Sequence, residues 1–428
     1  MDLPSISGRA TGRCSGTGHG HAGRGKLQGS AKAGSARGSP SPKWLAAAIE
    51  RWFIEHARDL PWRRERSGYR ALVSECMLQQ TQVSRVIERF EAFVARWPTA
   101  TALAAATEGD VLAMWQGLGY YRRARRLHEA AKACVARFGG RVPARAGELV
   151  TLPGVGRYTA GAVASIVHGE RAAIVDGNVA RVLLRVHGRA VDPATRSAQV
   201  WLWSTAQELV GRASNPATLN EGLMELGALT CTPRAPRCDS CPWRMRCIAH
   251  RDGAVDRIPA IAPKAARPTV HWETLVMRDA RGLVLEQRCD RGLWAGLWQS
   301  PTIEHATAGA AASFDPHAAW PGVHGLVEAG AFTVVTSPRR VHFRVWVAKA
   351  PSRIARGWHR VPDDALAAHA MSNAMRRVLE TAACVRLTAG ARATRSRAAG
   401  DSRRTPAPAA AARSAARGRS SGRSRRGG

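Results

Sequence analysis

The chain has 428 residues, 45% of them hydrophobic, with 64 Lys and Arg against 32 Asp and Glu for a net charge of +32. That length outgrows a single hydrophobic core, so two domains with extensions are expected, and the chain has no apolar run long enough to form a transmembrane helix. A positive balance this large points to a polyanionic partner such as nucleic acid, against the plainer reading of a merely soluble basic surface.

Charge is spread unevenly. Residues 1–43 hold seven basic residues against one acid, and residues 386–428 hold twelve Arg against Asp401, which leaves +15 for the body. The stretch 1–41 is rich in Gly, Ser, Ala and Arg and lacks the apolar stripe of an amphipathic targeting helix, so it reads as a disordered basic extension. Order is expected from Pro42, where Trp44, Leu45, Ala48, Ile49, Trp52 and Phe53 set up a 3.6-residue rhythm. Helical spacing recurs over 71–81, 84–97, 108–116, 123–138, 157–167, 177–187 and 199–210, which makes 42–252 a mainly α domain. Pro259, Pro263 and Pro268 mark 253–268 as an extended linker. The pattern then turns to β. Runs at 269–277 and 283–287, and again at 331–336 and 341–347, flank polar turns, so two hairpins and a helix at 370–381 predict an α+β domain over 269–385. The Arg-rich tail 386–428 has too few large apolar residues to offset the entropy of ordering and is expected to be disordered.

Three groups of residues carry chemistry. The first is Cys231-x6-Cys238-x2-Cys241-x5-Cys247. Four thiols in one short loop favour an iron–sulfur site, whereas structural zinc, the remaining alternative, more often takes two well separated Cys-x2-Cys pairs. The other cysteines are scattered, which fits a reducing compartment and not a disulfide scaffold. In a bacterial host that compartment is the cytoplasm, at the nucleoid. Arg234 and Arg237 in the same loop offer a phosphate-binding surface, or simply a solvated charge run. The second group is the run 149–161, where Gly154, Val155 and Gly156 sit between two short helical stretches. Glycines two apart permit a tight hairpin with backbone N–H groups exposed at a helix N-terminus, a grip for phosphate that reads no sequence. The third is a pair of carboxylates in apolar settings. Glu75 lies on a helix with few other charges, either exposed or buried with a raised pKa, and its neighbours favour burial. Asp176 ends an apolar run at a helix start, where it serves as an N-cap, as a functional acid, or as both.

Together with the Arg-Asp-Leu-Pro-Trp-Arg run at 58–63, Gly-Leu-Gly-Tyr-Tyr at 117–121 and the run 220–228 leading into the cysteine loop, these stretches resemble the MutY-type adenine DNA glycosylases, relatives of endonuclease III. The resemblance covers about 44–385. It implies a helix-hairpin-helix glycosylase domain with a [4Fe-4S] cluster on Cys231, Cys238, Cys241 and Cys247, followed by a Nudix-like domain. It further implies that Glu75 protonates adenine and handles the attacking water, that Asp176 stabilises the oxocarbenium-like sugar, and that Tyr158 and Asn178 support the carboxylates. Arg58, Trp62, Leu78 and Glu221 would line the adenine pocket, and Gln80 and Tyr120 would enter the base stack as the adenine is flipped out. The implied partner is double-stranded DNA with adenine opposite 8-oxoguanine or guanine, bound by a monomer. One departure stands out: where the family often has Phe-Ser-His beside the oxidised guanine, this chain reads Thr-Ser-Pro-Arg-Arg at 336–340, leaving Ser337 and the arginines for that contact. Two other functions stay open on sequence: a bifunctional glycosylase/lyase for oxidised pyrimidines, against which Tyr158 stands where a lysine nucleophile is expected, and a non-catalytic DNA-binding protein.

Overall fold

A computed structural model describes residues 40–262 and 265–385. The expectations of disorder for 1–41 and 386–428 therefore lie almost wholly outside the described residues. From Pro42 the chain is helical: α1 (Pro42–His56), α2 (Pro61–Arg64), α3 (Gly68–Leu78), α4 (Val83–Arg96), α5 (Ala100–Ala105), α6 (Glu108–Met114) and α7 (Arg122–Phe138) come first. They are followed by α8 (Ala146–Leu149), α9 (Arg157–His168), α10 (Gly177–Val186), α11 (Arg196–Gly211), α12 (Pro216–Leu229) and the short α13 (Ile248–Arg251). Side-chain caps start many of them. Ser67, Thr99, Thr107, Asp176, Thr195 and Asn215 each accept a backbone N–H of the first turn, which satisfies a donor that helix geometry leaves free.

These helices bury two apolar clusters. One joins α3, α4, α5, α7 and α9 around Phe90, Phe93, Trp115 and Leu127; the other joins α1, α10, α11 and α12 around Ile49, Leu183, Leu202 and Leu223. The helix expected over 71–81 stops at Leu78, because Gln80 turns to φ +56° and leaves the helical path. The stretch expected as an extended linker is docked over its first half. Ile258 is buried, the Arg185 guanidinium donates to the Val255 and Ile258 carbonyls, and Ala260 N–H donates to Val191 O. Proline content does not reveal this, because the partners lie some seventy positions upstream.

The second domain has a seven-stranded mixed sheet in the order β3-β2-β1-β6-β5, with β4 on β1 and β7 on β2. Its strands are β1 (Thr269–Asp279), β2 (Gly282–Gln287), β3 (Trp298–Gln299), β4 (Thr302–His305), β5 (Val327–Val335), β6 (Arg340–Lys349) and β7 (Trp358–Val361). Both expected hairpins form, β1 with β2 and β5 with β6. The central pairing is parallel, from Thr269 opposite Arg340 to Arg278 opposite Lys349, and parallel partners of such separation leave no local sequence mark. Two short helices, α14 (Ala308–Ala312) and α15 (Pro316–Ala319), lie between β4 and β5, and α16 (Asn373–Ala383) packs on the sheet through Met375 and Val378. The two domains share buried surface: Leu297 and Ala370 belong to the core cluster of α3 and α7, and Tyr121 donates its hydroxyl to Met371 O at 2.7 Å. No helix among the described residues is long and apolar enough to cross a membrane.

Candidate active site

Glu75 sits in the last turn of α3. The helix turns Leu72, Val73, Cys76 and Met77 into the core, and Glu75 goes in with them at 7% exposure. Asp176 arrives from an extended apolar run, Ala173 to Val175, and caps α10 by accepting Val179 N–H at 2.7 Å. The cap is therefore formed, and the same residue also lines a cleft of about 540 Å³ together with Glu75. A hundred residues apart in the chain, the two acids are close enough for the Asp176 charge to raise the Glu75 pKa. Volumes of roughly 300–1,000 Å³ are usual for small-molecule pockets.

The two carboxyls differ in surroundings. Burial pushes Glu75 up to about 7, aided by repulsion from Asp176 and Glu221 and opposed by the Tyr158 hydroxyl and Arg63. Burial also raises Asp176, but the Val179 and Asn178 backbone N–H groups and the Arg181 charge act against it. Burial and the two nearby carboxylates hold the Tyr158 phenol well above its ordinary value, so it stays a donor. Its hydroxyl lies 2.9 Å from Met224 Sδ and also reaches Glu75. Asn178 supports Asp176 through its backbone, because its side-chain oxygen accepts from Arg181 at 2.9 Å.

The residues expected around a base line the same cleft: Arg58, Trp62, Leu78, Gln80 and Glu221. Arg58 contacts Glu225 at 2.7 Å, and Arg63 bridges Glu221 at 2.9 Å and Glu225 at 3.2 Å. Arg66 lies 2.7 Å from the second Glu221 oxygen, which is buried and has no hydrogen bond of good geometry. Arg63, Arg66, Met224 and Glu225 escaped sequence reasoning. The available signal was the i, i+4 spacing of Glu221 and Glu225 on one helix, two acids that need cations if buried together.

Tyr120 stands apart from the cleft. It is 47% exposed, takes φ +47°, and with Gln80, Arg126 and Gly154 lines a neighbouring cavity of about 330 Å³. Gly154 has φ +77°, and a Cβ there would stand 2.4 Å from that of Arg126, so the glycine is required twice over. Gly156 is the N-cap position of α9, and as a glycine it offers the helix no side-chain cap. Val155 departs from the expectation of exposed N–H groups: it is buried, and its N–H already donates to Leu152 O at 3.1 Å. A larger cavity, about 820 Å³, lies between the domains, and its acids Glu129 and Asp290 are exposed. There Tyr120 Oη and Ser337 Oγ meet at 2.6 Å. Trp294 packs on Trp272 and Phe343 and also lines this cavity.

Cys231, Cys238, Cys241 and Cys247 line one small cavity together with Arg185, while Arg234 and Arg237 are exposed on the same loop. Burial pushes the Cys241 thiol up to about 12 and raises Cys238 and Cys247 as well. Among the described residues no three His, Cys, Asp or Glu side chains are arranged to hold a single metal ion. Four thiols gathered on one cavity form a donor set that fits an iron–sulfur group.

Residues 73–206 match the HhH-GPD superfamily of base excision DNA repair proteins. The chain is 38% identical over 306 residues to the human adenine DNA glycosylase, covering 59% of this chain and 56% of that protein. It is 47% identical over 201 residues to the adenine DNA glycosylase of Mycolicibacterium smegmatis, covering 45% of this chain and 67% of that protein. With that of Buchnera aphidicola subsp. Schizaphis graminum it shares 32% identity over 257 residues, 60% of this chain and 74% of the relative. It thus spans little more than half the length of the human relative, yet aligns with two thirds or more of the bacterial ones. On these matches the chain belongs to the adenine DNA glycosylase family.

Proposed function

We propose that the protein hydrolyses the N-glycosidic bond of adenine paired with 8-oxoguanine or guanine in duplex DNA, as a monofunctional, monomeric enzyme of base-excision repair. The observation that carries this reading is the meeting of Glu75 and Asp176 on one cleft, where burial pushes Glu75 up to about 7 and also raises Asp176, against the pull of two backbone N–H groups and the Arg181 charge. Loss of adenine needs a proton on the departing base and negative charge beside the sugar cation. Glu75, protonated near neutrality, supplies the first and then takes a proton from the attacking water. Asp176, fed by two backbone N–H groups, supplies the second. The arrangement parallels glycoside hydrolysis, with a base as leaving group.

Adenine in a duplex is stacked, so it must be extruded before it reaches these acids. Gln80 and Tyr120 enter the stack, while Trp62, Leu78, Arg58 and Glu221 receive the base. Gly154 and Gly156, with the N-terminus of α9, hold phosphate, and Arg234 and Arg237 extend that surface. Val155 anchors the hairpin from below. The second domain is Nudix-like and reads the oxidised guanine through Ser337 and the adjoining arginines. Cys231, Cys238, Cys241 and Cys247 hold a [4Fe-4S] cluster, whose iron would keep these thiols deprotonated and tie the basic loop into one piece. In a bacterial host the protein works in the cytoplasm, at the nucleoid.

No lysine lines the cleft, which counts against Schiff-base lyase chemistry. The test is release of adenine from duplexes carrying it opposite 8-oxoguanine, guanine and thymine, run at two salt concentrations because phosphate contacts weaken with salt. Release opposite the first two is expected, with no species trapped by borohydride. A borohydride-trapped adduct, or no release from any duplex, refutes the reading.

A further inference from the structure

Arg123 is the second residue of α7 and has no part in the chemistry above, yet both terminal nitrogens of its guanidinium are engaged, while its buried Nε has no partner. Nη1 donates to the carbonyls of Cys76 and Met77, both at 2.8 Å, and to that of Gln79. Nη2 donates to Thr81 Oγ1 at 2.9 Å and to the carbonyls of Leu118 and Gly119, both at 3.1 Å. The first set are carbonyls at the C-terminal end of α3, which a helix leaves without partners of its own. In the second set, Thr81 lies just beyond α3, and the two carbonyls belong to the turn after α6, where Gly117 and Gly119 both take positive φ. The guanidinium carbon also lies 5.4 Å from the Tyr120 ring centre and 5.5 Å from that of Trp115.

Each of these two segments carries one non-glycine residue in the left-handed region, Gln80 at φ +56° and Tyr120 at φ +47°. Such residues are uncommon there and need the surrounding structure to hold them. A planar guanidinium presents a fixed fork of donors that spans both segments at once, which the compact ammonium of lysine cannot do.

We propose that Arg123 is a positioning residue that locks the Gln80 and Tyr120 loops at a fixed separation, so that both side chains enter the base stack as one unit when adenine is extruded. The inference rests on the glycosylase reading above. It separates from a general effect on the Glu75 helix, because only the extrusion step depends on the two loops acting together.

The test compares single-turnover adenine release on two duplexes, one with adenine opposite 8-oxoguanine and one with adenine opposite an abasic site, where the base is already unpaired and easier to extrude. Arg123→Lys is expected to slow release from the paired duplex by more than about tenfold and from the unpaired one by less than about threefold. Equal slowing on both, or none on either, overturns the proposal. If Arg123→Lys does not fold, Thr81→Val removes one bond of the same clamp and should give the same contrast at about threefold on the paired duplex; equal rates on the two duplexes again overturn it. A wild-type protein that releases adenine from neither duplex sinks the glycosylase reading itself.

Discussion

Two cavities of this molecule differ in how far they exclude water from their acids. The cleft shared by Glu75 and Asp176 buries Glu75, Glu221 and Glu225, and burial, aided by the neighbouring carboxylates, pushes Glu75 up to about 7 there. The larger cavity between the domains is lined by α7, the end of β5, the start of α16 and the turns beside them, its acids are exposed, and the hydroxyls of Tyr120 and Ser337 meet there. Size therefore does not mark the reactive site. Electrostatic effects are strong where water is excluded and weak where it is not, so substitutions in the cleft should alter rate and substitutions in the interdomain cavity should alter preference.

The largest effect is expected for Glu75→Gln, which keeps the shape of the side chain and removes its proton relay. Adenine release should fall by about 10³-fold, the middle of the range for general acid catalysis, while the helical content measured by circular dichroism stays unchanged. Asp176→Asn isolates charge from capping, because Asn caps helices about as well as Asp. Release should fall by about 10²-fold with melting temperature preserved. A comparable loss of stability would mean that the cap, and not the charge, is what the enzyme needs.

The pH dependence sharpens the same contrast. The general acid acts in its protonated form, so the single-turnover rate should decline as pH rises through about 7, the value to which burial pushes Glu75. Stability follows with a definite sign. The folded protein holds the Glu75 proton more tightly than the unfolded chain, so this group stabilises the fold below its ordinary carboxyl range and that stability is lost as pH rises through about 7. Glu75→Gln should therefore be more stable than wild type at pH 8, by up to about 3 kcal/mol, with the difference gone at pH 4. Paired denaturant melts at the two pH values measure it.

Smallest is the effect expected in the other cavity. Ser337→Ala removes one exposed hydrogen bond, worth roughly 1 kcal/mol or less, and should change the rate of release opposite guanine little. Its mark should be a loss of two- to fivefold in the preference for 8-oxoguanine over guanine, read from competition between the two duplexes. A fall of a hundredfold on both would erase the distinction between the cavities.

How much of this was legible in sequence depended on whether the relevant partners are local. Glu75 and Asp176 could be singled out because each stands alone in an apolar stretch, and Gly154 because a hairpin between helices needs its backbone freedom. The helix periods gave α4, α7, α9 and α10 to within a residue or two. Elements defined by distant partners were not visible. The parallel register of β1 with β6 joins strands about seventy residues apart, the docking of Ile258 depends on Arg185, and the break in α3 depends on Arg123 collecting carbonyls from two loops. Val155 differs in cause: its N–H is satisfied locally, by a carbonyl three residues back in a turn that glycine spacing alone does not specify. The ionic web of Arg58, Arg63 and Arg66 with Glu221 and Glu225 likewise forms only once α2 and α12 are brought side by side.

The decisive measurement is a double-mutant comparison of adenine release from one 8-oxoguanine duplex by wild type, Glu75→Gln, Asp176→Asn and the double variant. If proton and charge act on the same departing base, the double variant should be about as slow as the slower single one, because groups that work as a unit do not lose their effects additively. Single variants that each release adenine within about tenfold of wild type would contradict the account, whatever the fold of the chain.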